Sequence, residues 1–343
     1  MKPSMPRLLG AGCMVAGLAA SIIVAQSTPD TIDAHRNAAR AAAREDLKGV
    51  YDIACPAVTP STPAATPAPG RGAGAATGAR GAAGTPRPDP PREQWYAEPA
   101  KVFDNLYFIG TKVHGSWAVT TSDGIIVIDT LYNYATEPEI ADGLKKLGLD
   151  PAKIKYVVIT HGHGDHDGGA KFLQDQFHPH LIMSAADWDL TDRDTRNPKP
   201  QRDMIATDSE KLKLGDTTLT LYITPGHTAG TISTLVPVKD LGQPHLAVEW
   251  GGTAISVRTP IAMLDAYVKS AERFRDVAVG AGADVIITNH TVFDSTLAKL
   301  DALQKRKPGD PNPYVVGKET VNRYLTVAEE CGKATLLAAK AQQ

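Results

Sequence analysis

Two short runs of consecutive apolar residues, Ile125-Ile126-Val127-Ile128 and Tyr156-Val157-Val158-Ile159, are rich in β-branched side chains. Such runs predict strands buried on both faces. Further strands are predicted over Val102–Ile109, Trp117–Thr120, Leu181–Ser184, Leu212–Leu214, Thr217–Ile223, Thr231–Val236, His245–Glu249 and Asp284–Thr288. Helical spacing takes over between them. It predicts helices over Ile140–Leu147, stopped by Gly148, over Gly169–Phe177, and over Ala185–Leu190. A longer helix carries Ile261, Leu264, Tyr267, Val268, Ala271 and Phe274, with Gly280 and Gly282 closing it. A C-terminal helix shows Val321, Leu325, Ala328 and Cys331 on one face. Ser122-Asp123-Gly124 and Gly215-Asp216 are turn signals, and Thr191–Pro200 reads as a polar loop. The alternation of strands and helices predicts a mixed α/β fold over residues 95–343.

The first quarter of the chain follows other patterns. Lys2 and Arg7 precede an apolar stretch from Leu8 to Ala25, which reads as a signal peptide over residues 1–25. Processing is expected near Ala25–Gln26; a retained anchor and a lipoprotein signal at Cys13 are the alternatives. Residues 26–55 form a helical segment, with one helix expected over 30–48, started by Asp30 or Thr31. Residues 56–94 are a tract of Pro, Ala, Gly, Thr and Arg with almost no large apolar side chains. Burial there cannot offset the entropy of ordering, so a disordered linker is expected. At ~3 Å per residue it reaches on the order of 100 Å, enough to let Cys55 dock anywhere on the following domain.

Composition narrows the class only a little. The 343 residues carry a formal charge of -2, which gives no reason to expect a nucleic-acid partner. Three cysteines are present, and removing the signal leaves Cys55 and Cys331. In an oxidising compartment an even pair invites a disulfide, here one closing a long loop worth on the order of 2–5 kcal/mol. Two buried thiols are the alternative. The expected location is secreted or periplasmic, without lasting membrane attachment once the signal is removed.

The chemistry concentrates directly after the second apolar run. His161, His163, Asp165 and His166 lie within six residues, spaced by Gly162 and Gly164. Glycine lets the backbone turn tightly enough to aim alternate side chains at common points. Imidazole and carboxylate are zinc ligands. Two later histidines, His227 and His290, each follow a predicted strand and sit among small residues. Chemistry is commonly placed on loops at strand ends of a rigid scaffold. His114 lies in the Gly110–Trp117 loop and is weighed as a substrate contact against ordinary loop surface. His178 and His180 are expected to face solvent, and His35 and His245 have no ligand context.

With H-x-H-x-D-H followed by two strand-end histidines, the sequence resembles the metallo-β-lactamase superfamily from about Val102 to His290. The resemblance implies a four-layer αββα sandwich with a two-metal cleft at the edge of its sheets. It implies that His161, His163 and His227 hold one Zn²⁺ and that Asp165, His166 and His290 hold a second, two per subunit. Asp129, ending its strand, matches the family's buttressing acid. Many hydrolytic members carry Gly-Asp-Thr, or a similar sequence, at the stretch that here reads Gly251-Gly252-Thr253, so the bridging carboxylate is missing. A ligand set of five histidines and one aspartate is similar to the third subclass of class B β-lactamases. That subclass often uses nearby serines for the substrate carboxylate. Thr253 and Ser256 are the hydroxyls available here, and Trp250 is weighed as a pocket wall against a packing role.

The implied chemistry is hydrolysis of a small molecule. Two zinc ions lower the pKa of a shared water from 15.7 to roughly 7 and polarise a carbonyl. Asp165 is the candidate to orient the hydroxide and relay a proton. Lacking a bridging carboxylate, the second ion is expected to be the more weakly held. β-Lactam amides lead as substrates; the alternative is another ester, lactone or cyclic amide. A binding protein with a vestigial site and an oxygen-reducing diiron enzyme are less favoured.

Overall fold

The computed structural model describes Met1, residues 30–55 and residues 89–343. The expected signal peptide, residues 26–29 and the linker up to residue 88 lie outside the described residues. Among the described residues, no helix is long and apolar enough to cross a membrane.

Two helices come first, α1 (Ile32–Ala43) and α2 (Lys48–Ala54), and then a single turn, α3 (Arg92–Trp95). Thr31 caps α1 by accepting the Ala34 N–H. The one helix expected over 30–48 is broken at Arg44, whose φ is +49°. A distant partner explains the break. The Arg323 guanidinium donates to the Ala42 carbonyl at 3.0 Å and to the Asp46 carboxylate at 2.9 Å. It satisfies carbonyls at the end of α1 that have no partner within the helix, and it fixes the turn. Trp95, near which the folded part was expected to begin, is the last residue of α3.

The first sheet has seven strands in sequential order. They are β1 (Ala100–Lys101), β2 (Leu106–Phe108), β3 (Trp117–Thr121), β4 (Gly124–Ile128), β5 (Ile154–Val158), β6 (His180–Met183) and β7 (Met204–Ile205). The second sheet runs in the order 12-11-10-9-8. It comprises β8 (Glu210–Leu214), β9 (Thr217–Ile223), β10 (Ile232–Asp240), β11 (Gln243–Glu249) and β12 (Val285–Ile287). The strand expected over Val102–Ile109 is split, because Asp104 and Asn105 turn outward. Their backbone and side chains bond to Pro237, Lys239 and Gly242 of the other sheet's hairpin.

Helices α4 (Asn133–Thr136), α5 (Asp142–Lys146), α6 (Gly164–Asp167), α7 (Ala170–Phe177) and α8 (Ala185–Arg193) belong to the first-sheet half of the chain. Helix α9 (Ile261–Ala281) follows the second sheet's hairpins, and α10 (Thr296–Gln304) and α11 (Lys318–Lys340) end the chain. Strand β4 shows why the apolar run is continuous. Ile126 and Ile128 enter the core between the sheets, while Ile125 and Val127 enter the core under the helices. With both faces covered, no polar position is left in the strand. The outer core of the second sheet is built from α1, α2, α9 and α11, with Ala39, Leu47, Val50, Tyr267, Leu325 and Ala328 packed together. The four-layer αββα sandwich is therefore present, and the N-terminal helices form part of one outer layer. A disulfide joins Cys55 to Cys331 across Cα atoms 4.9 Å apart and 276 residues apart in sequence.

Between α4 and α5 the helix passes through a π-turn over Glu137–Ala141, with Pro138 at its start. Proline removes a backbone donor, and the wider turn accommodates it. The helix thus begins earlier than the expected Ile140. This turn also buries Glu139, which accepts the Ala97 N–H at 2.9 Å through one oxygen. Burial pushes its pKa up to about 8. The folded chain therefore binds this proton more tightly than the unfolded chain, whose glutamate titrates near 4.3. Unfolding free energy must fall as pH rises from about 4.5 to 8. Glu139→Gln keeps the acceptor and cannot ionise. In urea melts it is expected to match wild type at pH 4 and to exceed it by about 2–4 kcal/mol at pH 8.5; parallel pH profiles would refute the assignment.

Candidate metal centre

The ends of β4, β5, β9 and β12 open on one edge of the sandwich, and the six residues singled out as ligands meet there. Backbone bonds stitch that edge across the two sheets. Ile232 N–H donates to the Thr160 carbonyl at 2.8 Å, and Gly115 N–H donates to the Asn289 carbonyl at 2.8 Å. The glycines between the ligands are required by close packing. A Cβ on Gly162 would lie 2.8 Å from Thr191 Oγ1, and one on Gly164 would lie 2.5 Å from Asn197 Nδ2.

In the first cluster, donor atoms of His161, His163 and His227 lie within 4.8 Å of one another. Hydrogen bonds fix which nitrogens are free. His227 Nδ1 faces the Ala254 carbonyl at 2.5 Å, so it must carry the proton, and Nε2 has the lone pair. Asp129 accepts from Thr160 N–H at 2.7 Å and from the Thr160 hydroxyl at 2.8 Å. With that hydroxyl proton committed, His161 Nδ1 donates to Thr160 Oγ1 at 3.2 Å, leaving a lone pair on Nε2. The two bare Nε2 atoms then face each other at 3.1 Å. His163 Nδ1 also lies 3.1 Å from His227 Nε2. Lone pairs converging at this distance repel unless a cation lies between them. Burial and the neighbouring imidazoles push His161 well below its usual pKa; burial and His227 bring His163 down to about 3. Neutral imidazole is the form that binds a metal, so the residues fit Zn²⁺.

The second cluster is larger than expected. His166 Nδ1 lies 2.7 Å from Asp129 Oδ2, which orients Nε2 toward His290 Nε2 at 3.2 Å and Asp165 Oδ2 at 3.4 Å. Asp129, which the resemblance marks as a buttressing acid, thus reaches both clusters, bonding to Thr160 beside His161 and to His166. Burial alone would lower the His166 pKa, but Asp165 and Asp129 outweigh it and raise it to about 10. Burial would likewise raise Asp165, yet His166, His114 and His290 hold it well below the usual carboxylate range. His114, weighed as a substrate contact, forms a donor group with Asp165 and His290 whose atoms lie within 4.8 Å of one another.

Of the residues weighed for the pocket wall, Trp250 and Thr253 lie in the core. Trp250 is buried against Tyr267 and Phe274, with ring centroids at 5.5 and 5.9 Å, and is a core residue. Thr253 is also buried, its carbonyl accepting from the Tyr267 hydroxyl at 3.0 Å. Ser256 closes a turn, its Oγ accepting from the Arg258 N–H at 3.2 Å. The packing leaves no room for a side chain where the bridging carboxylate is missing, since a Cβ on Gly252 would lie 2.4 Å from His227 Cβ. Outside the site, His178 and His180 are exposed, His35 pairs with Glu330 and His245 pairs with Asp284.

Sequence reasoning missed Asp187 on α8. This buried carboxylate accepts from Gly162 N–H and Gly230 N–H, both at 3.0 Å, and from the Thr228 hydroxyl at 2.7 Å. It therefore clamps the His161–His163 loop to the loop carrying His227. The only local trace is the Ser184-x-x-Asp187 helix start, with Ser184 Oγ accepting the Asp187 N–H.

Residues 110–241 match the family model described as the metallo-beta-lactamase superfamily. Among solved structures, BJP-1, a subclass B3 metallo-beta-lactamase of Bradyrhizobium japonicum, is 26% identical with a TM-score of 0.61, covering 73% of this chain and 98% of that one. A metallo-beta-lactamase from Cronobacter sakazakii shares the fold at 24% identity and a TM-score of 0.63, covering 73% of this chain and 100% of that one. Among curated relatives, a hydroxyacylglutathione hydrolase from Synechococcus is 28% identical over 43% of this chain and 57% of its own length. An N-acyl homoserine lactonase from Azorhizobium caulinodans is 28% identical over 43% of this chain and 62% of its own length. The chain spans about half the length of the curated relatives it matches.

Asp187→Asn removes one of the two carboxylate oxygens that gather the ligand loops. Losses of groups that orient ligands cost about 10–100-fold in metal affinity. Competition with a chromophoric chelator is expected to show that loss in the zinc affinity of the variant, with circular dichroism unchanged. Unchanged affinity would remove Asp187 from the site's support.

Proposed function

We propose that this chain, whose residues 110–241 match the metallo-β-lactamase superfamily model, is a dizinc hydrolase that opens β-lactam amide bonds. The observation that carries the metal reading is the approach of His161 Nε2 and His227 Nε2 to 3.1 Å, with each ring's Nδ1 facing an oxygen acceptor. His161, His163 and His227 would hold one ion, and Asp165, His166 and His290 the other. When bound, zinc supplies Lewis acidity for a carbonyl and lowers the pKa of water to about 7.

The chain's own groups supply the rest. Asp165 stays ionised at the partly open mouth, with Oδ2 shared among His114, His166 and His290. Its carboxylate is the acceptor that takes a proton from the attacking water and returns it to the leaving nitrogen. Asp129 keeps the His166 ring from rotating, so the charge balance around Asp165 is built into the fold. Tyr132 and Tyr134 stack at 5.5 Å beside His114 and offer an apolar wall for a ring-shaped substrate.

Support for β-lactams comes from the ligand set without cysteine or bridging carboxylate and from the subclass B3 structural neighbours. The second reading, an ester, thioester or lactone substrate, is favoured by the curated relatives. The Cys55–Cys331 disulfide and the signal-like N-terminus support a secreted or periplasmic location.

Steady-state hydrolysis of cephalosporin and carbapenem substrates, beside lactone and thioester panels, decides between the two. β-Lactam turnover is expected, abolished by a chelator and restored by added Zn²⁺. Turnover of lactones or thioesters alone would overturn the β-lactam assignment, and a purified protein free of any bound metal would overturn both.

A further inference from the structure

His114, Asp165 and His290 form a group whose donor atoms lie within 4.8 Å of one another, and His166 Nε2 approaches His290 Nε2 at 3.2 Å and Asp165 Oδ2 at 3.4 Å. His114 Nε2 lies 3.5 Å from Asp165 Oδ2, and its ring centroid is 5.0 Å from that of His290. We propose that His114 is a protein ligand of the second metal ion, completing a set of three imidazoles and one carboxylate with His166, His290 and Asp165. This rests on the zinc reading above and makes the second site a closed one.

The backbone around His114 is built to hold it there. Thr111 Oγ1 accepts the N–H groups of Val113 at 3.1 Å and His114 at 2.8 Å, and Thr111 N–H donates to the His114 carbonyl at 2.8 Å. The loop is then fastened to the strand end that carries His290. Gly115 N–H donates to Asn289, Thr291 N–H donates to Val113 at 3.0 Å, and His114 and His290 form a β-bridge. Gly115 is required for this approach, since a Cβ there would lie 2.1 Å from the Thr288 carbonyl oxygen. The Tyr132 ring packs edge-on against His114 at 5.2 Å and restrains the imidazole from the other side. A metal ligand must be placed to within a fraction of an ångström, and this network supplies that placement.

The consequence separates the two ions. Zinc sites with four protein ligands are the closed, structural kind, while three ligands leave a position for water or substrate. The first cluster, with three histidines, keeps the open position. The second ion becomes the more firmly anchored of the two, the reverse of what the missing bridging carboxylate suggested.

Metal-free full-length protein, prepared as wild type, His114→Ala and His290→Ala, is titrated with Zn²⁺ against a chromophoric chelator, with circular dichroism as the check on folding. Wild type is expected to take two ions. His114→Ala is expected to keep one ion at wild-type affinity and to weaken the other at least about 10-fold, the lower bound seen even for groups that only orient ligands. His290→Ala should affect the same ion. A second readout needs no variant: the ¹⁵N resonance of the His114 imidazole in wild type should shift as the second equivalent binds. Two ions held by His114→Ala at wild-type affinity, or an unmoved His114 resonance, would overturn the proposal while leaving the hydrolase reading intact. Failure of wild type to bind any zinc would overturn the hydrolase reading, and this one with it.

Discussion

Asp129 is the constraint on which the site depends. Its carboxylate, fully buried at the end of β4, takes three donors: the Thr160 N–H, the Thr160 hydroxyl and His166 Nδ1. The Thr160 contact decides the tautomer of His161, and the His166 contact decides the direction of its Nε2. One charge therefore orients imidazoles in both clusters. It sits there because the chain turns abruptly after β4, with φ of +61° at Asp129, a conformation that aspartate tolerates better than most residues. The sandwich supplies rigidity, but the lone-pair directions come from this one side chain.

Much of this was legible in the sequence. His161, His163, Asp165 and His166 are contiguous and glycine-spaced, so local geometry alone brings them together. His227 and His290 could be read because strand ends on one side of a sandwich share an edge. Parity made a Cys55–Cys331 bond the expectation once Cys13 was set aside, with two buried thiols as the alternative. What stayed hidden depends on partners far away in the chain. The break in α1 is made by Arg323, and the split between β1 and β2 is made by the hairpin around Lys239. Asp187 looks like an ordinary helix-start acid until Gly162 and Gly230 converge on it. Trp250 and Thr253 were ambiguous because a residue just past a strand end can face either the cleft or the core, and here α9 covers them.

Gly251 and Gly252 show how the missing carboxylate and the packing are one fact. A Cβ on Gly251 would lie 1.8 Å from the Ile232 carbonyl oxygen, and Gly252 backs directly onto His227. The strand end has been drawn in against the neighbouring ligand loop, leaving no room for a side chain that could reach between the clusters. Contacts from the opposite rim, the loop carrying His114, take up the space around Asp165 instead.

The link between Cys55 and Cys331 also has a topological consequence. It closes residues 55–331 into a single covalent ring, with α1 and α2 on one tail and only the end of α11 beyond Cys331 on the other. A protease that cuts anywhere between residues 55 and 89 opens that ring without releasing either piece. The two pieces of the nicked molecule stay covalently joined under oxidising conditions and separate only when the bond is reduced and the packing of α1 and α2 against α9 and α11 is undone.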